Sequence, residues 1–183
     1  AADNKSIFKA RTKIQSDRSL NVEGQITYTG NLAINIRSHF KNIEIKKRKE
    51  WLKNQISQNT GEVNINSFKV VGLDNPETSL SIEFVADLKY YARKAGNRLL
   101  FEPLMFNTIS FEGEKPEIRK MPLLNSSRYI YVDSIEYTFP DDFKIKSSSQ
   151  SDTLISSFGK YNTNIQLQNE GVLWSRTFSS DIR

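Results

Sequence analysis

Period-two alternation dominates the chain from Gly61 onward and limits what it can become. Leu80, Ile82, Phe84, Ala86 and Leu88 alternate with Ser81, Glu83, Val85 and Asp87 without a break, which puts every second side chain on one face and predicts a half-buried strand. Val63, Ile65 and Phe68 open an earlier strand that runs to Val71. Tyr129, Tyr131, Asp133, Ile135 and Tyr137 share one face of a later one, with Ile130, Val132, Ser134, Glu136 and Thr138 on the other. Asp152–Ser157, Lys160–Leu167 and Val172–Phe178 complete the series, separated by Phe158-Gly159 and Asn169-Glu170-Gly171. Short strands punctuated by turns, with no helix between them, predict an antiparallel β-sandwich.

The first sixty residues read differently. Ile14, Leu20, Val22, Ile26 and Tyr28 flank the turn Ser16-Asp17-Arg18-Ser19 and predict a β-hairpin within Lys9–Tyr28. After Gly30-Asn31, the residues Ala33, Ile36, Phe40 and Ile43 fall at helical spacing. Leu32, Ile34 and Ile36 would also alternate as a strand, but helix is favoured. Glu44 to Gln58 keeps the helical habit through Arg48, Leu52 and Ile56, and Asn59-Thr60-Gly61 stops it. The apolar faces of these one or two short helices require a sheet to cover. The expected organisation is therefore residues 1–60 as hairpin plus helical segment, packing on a sandwich of residues 61–183, in one structural unit. Further turns are expected at 72–76, 94–97, 113–116, 124–127 and 139–142.

Composition removes most catalytic chemistries. No cysteine is present, which excludes thiol catalysis, disulfides, iron–sulfur clusters and thiolate zinc sites. The single histidine, His39, falls on the polar side of the first helix, and no Gly-x-Ser-x-Gly elbow accompanies it. One imidazole argues against the usual catalytic zinc geometry, and no calcium-loop spacing or glycine-rich phosphate loop is found. Asp141 and Asp142 are adjacent, so on a strand they would face opposite sides; a turn accounts for them. No cofactor, no metal ligand set and no catalytic residue is expected. No run of about eighteen uncharged apolar residues exists, so no membrane-spanning helix is expected either.

The net charge of +5 is uneven: residues 1–56 hold 12 Lys/Arg against 5 Asp/Glu, and the remainder 14 against 16. The excess peaks at Lys46-Lys47-Arg48-Lys49-Glu50-Trp51-Leu52-Lys53. On a short helix such a cluster reads as a solvated face rather than a nucleic-acid site. Tyr90 and Tyr91 with Arg93, Lys94 and Arg98 form a candidate stacking platform for sugar or nucleic acid, and Trp174 is a further candidate contact. The competing reading puts one tyrosine in the core and one on the surface, with Trp174 and Trp51 as apolar anchors. The start, Ala1-Ala2-Asp3-Asn4-Lys5, lacks Met and an apolar signal region, and is expected to be a cut end left by signal removal or by excision from a longer protein.

The order of certain residues resembles a known family. Tyr28-Thr29-Gly30 precedes Ala33 and Arg37; a helix ends near Trp51-Leu52; Gly61 and the turn Asn75-Pro76 follow. Gly96 precedes Leu99-Leu100-Phe101-Glu102-Pro103, then come Arg119 with Pro122, the stretch Tyr137-Thr138-Phe139-Pro140-Asp141-Asp142-Phe143-Lys144-Ile145, and Arg176. This order, covering about Gly24 to Arg176, resembles the C-terminal domain of unknown function of large exported bacterial proteins of the transglutaminase-like superfamily. Those proteins carry a papain-like core upstream. The resemblance implies a non-catalytic accessory domain, an exported, periplasmic or surface location, and the core of the same parent chain as partner. A cell-envelope protein or glycan is the implied alternative partner. The family's Cys-His-Asp machinery belongs to the core, so no catalytic residue carries over to this chain. On the residues alone, a carbohydrate- or peptidoglycan-binding module using Tyr90, Tyr91, Arg93 and Trp174 is the competing expectation.

Overall fold

A computed structural model describes residues 4–57, 62–103, 106, 128–140, 143–146, 151–169 and 171–180. The alternating segments form strands: β1 (Asn4–Ile14), β2 (Leu20–Tyr28), β3 (Val63–Val71), β4 (Leu80–Leu88), β5 (Arg93–Ala95), β6 (Arg98–Leu100), β7 (Tyr129–Thr138), β8 (Asp152–Ser156), β9 (Gly159–Gln168) and β10 (Gly171–Ser180). Helices α1 (Gly30–Lys41) and α2 (Ile45–Ser57) lie between β2 and β3. Eight strands share one sheet in the order β3-β4-β2-β1-β7-β10-β9-β8, and β5-β6 make a separate small hairpin. The mainly β, mostly antiparallel character, the N-terminal hairpin and the two helices all follow the sequence pattern. The helix stop at Asn59-Thr60-Gly61, the turns at 113–116 and 124–127, Arg119, Pro122 and the pair Asp141-Asp142 lie outside the described residues.

Two features of the topology depart from the expected arrangement. β1 and β7 pair in parallel, over ten residues from Asn4↔Tyr129 to Lys13↔Thr138. The hairpin β1-β2, expected to pack upon the sheet, lies in its middle between β4 and β7. Residues on both sides of position 60 therefore share one hydrogen-bonded sheet.

One face of the sheet is apolar and carries the helices. α1 lies against β1 and α2 against β3, a sandwich-like layering in which Ala33, Phe40, Leu52 and Ile56 join Phe8, Ile26, Ile82 and Val63 in a single core. Phe40 meets Trp51 edge to face at 5.1 Å between ring centres. The ring of Phe84 lies across its β2 partner Gly24, where a Cβ would come within 2.5 Å of it. That missing side chain gives Phe84 room on the same face as Phe8, whose ring is 6.3 Å away and nearly parallel. The opposite face carries the alternate residues, among them Lys9, Arg11, Glu23, Gln25 and Glu83, and is open to water.

Polar side chains fasten the layers together. Asn4 donates from Nδ2 to the Arg128 carbonyl at 3.1 Å, while its Oδ1 accepts the Asn31 N–H at 2.7 Å in the first turn of α1. Ser180 Oγ accepts the N–H of Tyr129, the partner of Asn4, at 2.9 Å. Asn4 and Ser180 thus sit on either side of the start of β7. Arg37 is buried beneath α1 and donates to three backbone carbonyls of the turn between β3 and β4: Gly72 at 2.9 Å, Pro76 at 3.4 Å, and Thr78. Removing that guanidinium leaves part-buried carbonyls without their donor. Arg37→Met is expected to lower stability by about 2–4 kcal/mol, read from urea unfolding, with the loop 72–78 the first region to lose hydrogen-exchange protection.

Candidate functional site

The sequence singles out Tyr90, Tyr91, Arg93, Arg98 and Trp174, and the structure distributes them over separate surroundings. Tyr90 is well exposed, in the left-handed region with φ 58°, and the Arg18 guanidinium stands 5.4 Å from its ring centre. Tyr91 turns the other way. Its hydroxyl donates to the Glu102 carbonyl and lies 3.1 Å from that of Tyr137. The ring of Phe101 packs against both, with centres 6.0 Å from Tyr91 and 5.1 Å from Tyr137. Arg93 and Arg98 are exposed on the β5-β6 hairpin, opposite Leu100 and Ala95. Trp174 is buried on the core face of β10, between Ile135 and Ile165 on the neighbouring strands. The two tyrosines therefore do not present one continuous platform, and Trp174 belongs to the core. His39 is exposed on α1 beside Phe40.

The chemistry that the sequence does not reveal lies on the core face of β7 and β10. Asp133 and Arg176 are register partners. Arg176 Nε donates to Asp133 Oδ2 at 2.6 Å, and a terminal guanidinium nitrogen reaches the same oxygen. Both side chains are almost wholly removed from water, Asp133 at 0% exposed and Arg176 at 3%. In that setting the Coulomb attraction is strong, but it has to offset the loss of two hydration shells. The readable signal is the position of each residue: Asp133 interrupts an otherwise apolar face, and Arg176 follows Trp174 at a two-residue step on another.

Next to this pair runs an aromatic row. Tyr28, Ser6, Tyr131, Phe178 and Tyr161 occupy one level across β2, β1, β7, β10 and β9. Tyr131 stacks on Phe178 with ring centres 5.9 Å apart and lies 6.5 Å from Tyr129. Burial pushes the Tyr28 phenol far above its ordinary range, opposed by a hydrogen bond with Ser6 and reinforced by Tyr131. Burial raises the Tyr131 phenol too, and Tyr129 adds to the rise.

On the opposite face, an open concavity of about 790 Å³ spreads over the strands around Gly24. Its charges alternate from strand to strand: Arg11 stands between Glu23 and Glu136 in register, and Lys69 opposes Glu83. The ion pairs Arg11–Glu136 and Lys69–Glu83 are long, at 3.9 Å each, and exposed, so each contributes little. Among the described residues no group of three His, Asp or Glu side chains could hold a metal ion.

At the end of the strand order, β8 pairs on one side only, with β9. Leu154, Ile155 and Phe158 there, with Leu167 on β9, are 64–71% exposed. Leu154 and Ile155 point to opposite faces of a strand edge that is unpaired on one side, so apolar side chains stand in water on both sides of it.

Breaking the buried ion pair from one side should cost about 3–5 kcal/mol, because the partner is left charged and desolvated. Arg176→Met and Asp133→Leu are each expected to lower the urea midpoint markedly, and the double variant to be more stable than either single one. A separate effect follows from the tyrosines. Their phenols ionise later in the folded chain than in the unfolded one, whose pKa is about 10, so the stability they supply is intact below that pH and lost above it. The melting temperature should fall as pH rises beyond about 10, and Tyr28→Phe should flatten that fall.

No curated protein and no solved structure matches the chain. A family model does: residues 97–181, which include β6 to β10 and both partners of the buried ion pair, match the family described as Domain of Unknown Function with solved-structure structure (DUF3858).

Proposed function

We propose that this chain is a non-catalytic accessory domain of a larger exported transglutaminase-like protein, and that it docks through its β8 edge onto the papain-like core of the same parent chain. The observation that carries this reading is the apolar edge itself. Leu154, Ile155 and Phe158 expose side chains of 65–71% relative area on and beside a strand paired on one side only. An edge of that kind invites pairing with another chain, and natural proteins usually blunt or cover it. A neighbouring domain of the same polypeptide covers it at low entropic cost, because the linker keeps the local concentration high. The order of residues from Tyr28-Thr29-Gly30 to Arg176 supports the parent family, and the match of residues 97–181 supports a domain of unknown function in the C-terminal half. The role is to brace or shade the core from a periplasmic or surface location, and the domain itself performs no chemistry.

The test is hydrogen exchange in two polypeptides, this domain alone and the full reading frame that contains it. The amides of β8 are expected to exchange at least about tenfold more slowly in the longer chain, and Leu154→Asp with Phe158→Asp should abolish that protection. Equal exchange in both polypeptides overturns the docking. A reading frame with no upstream Cys- and His-bearing core overturns the parent family. Binding of soluble peptidoglycan fragments that protects the Tyr90–Arg98 segment and leaves β8 unchanged would favour a glycan-binding module in its place.

A further inference from the structure

At the other end of the sheet from β8, the first turn of α2 stands beside the end of β3 and encloses an open groove of about 460 Å³. Phe68, Val70 and Leu73 line it and pack against the core behind. Ile45, 71% exposed, forms part of its rim. Arg37 holds the far wall rigid through its hydrogen bonds to the carbonyls of Gly72, Pro76 and Thr78. Arg48 crosses the near wall, its Nε donating to the Ile43 carbonyl at 3.2 Å, a bond that leaves its positive charge uncompensated. Around it α2 carries Lys46, Lys47, Lys49 and Lys53 against Glu50. Among the described residues, none of these five cations makes an ion pair within 4.0 Å.

The basic cluster alone would be a solvated helix face. It differs from one because it borders a recess lined by apolar side chains, and the two features together specify a ligand. We propose that this groove binds an extended acidic peptide segment of a partner polypeptide, seating one large apolar side chain over Phe68, Val70 and Leu73 and directing its carboxylates to α2. β3 ends the strand order here, which suits a peptide lying extended alongside it. A phosphate backbone has no apolar group to fill the recess, and the one aromatic ring lining the groove, Phe68, is half-buried rather than presented for base stacking. A bilayer is flat and calls for protruding apolar groups, whereas three of the four apolar lining residues are half-buried. Asp74 also lines the groove and disfavours an acidic residue of the peptide beside it. This groove is independent of the docking proposed for β8.

A display library of random ten-residue peptides, selected on the full chain, tests the assignment. Enriched sequences are expected to combine Asp or Glu with one large apolar residue. In fluorescence anisotropy, the labelled best binder should lose at least about fivefold in affinity with Ile45→Asp and again with Lys49→Glu, and should weaken as salt is raised. Both substitutions are at exposed positions, and Leu154→Asp at the opposite edge should leave the affinity unchanged. The proposal is overturned if no acidic peptide is enriched, if the enriched peptides lack an apolar residue, or if neither α2 substitution alters binding. Full displacement of the peptide by a single-stranded oligonucleotide or by phosphatidylglycerol vesicles, with affinity for these equally sensitive to Ile45→Asp, would also overturn it.

Discussion

One seam holds the sheet together. Every strand after residue 128 joins the strands of the first 88 residues through the parallel pairing of β1 with β7. Parallel pairing is slightly weaker per residue than antiparallel, and side chains reinforce it. Thr12 Oγ1 donates to the Glu136 carbonyl at 2.9 Å, and Thr138 Oγ1 donates back to the Thr12 carbonyl at 3.0 Å. Asn4 closes the other end against Arg128 and the start of α1. These partners lie more than 120 residues apart in sequence, so the seam forms only after a large loss of chain entropy. A topology of this kind folds slowly compared with a helical bundle of similar size.

Two buried arginines solve different problems on either side of that seam. Arg37 satisfies carbonyls of a turn that the sheet cannot reach, and so fixes how the β3-β4 connection sits under α1. Arg176 meets a carboxylate inside the C-terminal half of the sheet, adjacent to the seam strand β7. A buried ion pair adds little net stability over a well-packed apolar pair, but it penalises wrong registers heavily. A slip of one residue between β7 and β10 would turn one of the two charges to the opposite face and leave the other buried without its partner. Pro76 lies in the turn that Arg37 grips.

Local alternation made most of the strands legible. Leu80 to Leu88 reads as β4 residue for residue, because one face meets the core and the other meets water along its whole length. The helices were legible from the spacing of Ala33, Phe40, Leu52 and Ile56, all of which are buried. Pairing partners were not legible. Period two assigns a residue to a face but does not name the neighbouring strand, so the position of the N-terminal hairpin mid-sheet and the parallel seam had no local signature. The surface candidates fared unevenly. Tyr91 and Trp174 are aromatic residues whose surroundings are set by distant strands, namely Tyr137 of β7 and Ile165 of β9, and sequence distance hides such contacts. The groove at α2 depended on Phe68 and Val70 being half-buried at a sheet edge, which follows from strand order rather than from composition.

The meeting of Asn4, Tyr129 and Ser180 at one end of the sheet has a mechanical consequence. Residues 4 and 180 lie two strands apart, on the order of 10 Å given the usual strand spacing. Tension applied between those points pulls across the strands instead of along them, so hydrogen bonds open one after another rather than sharing the load.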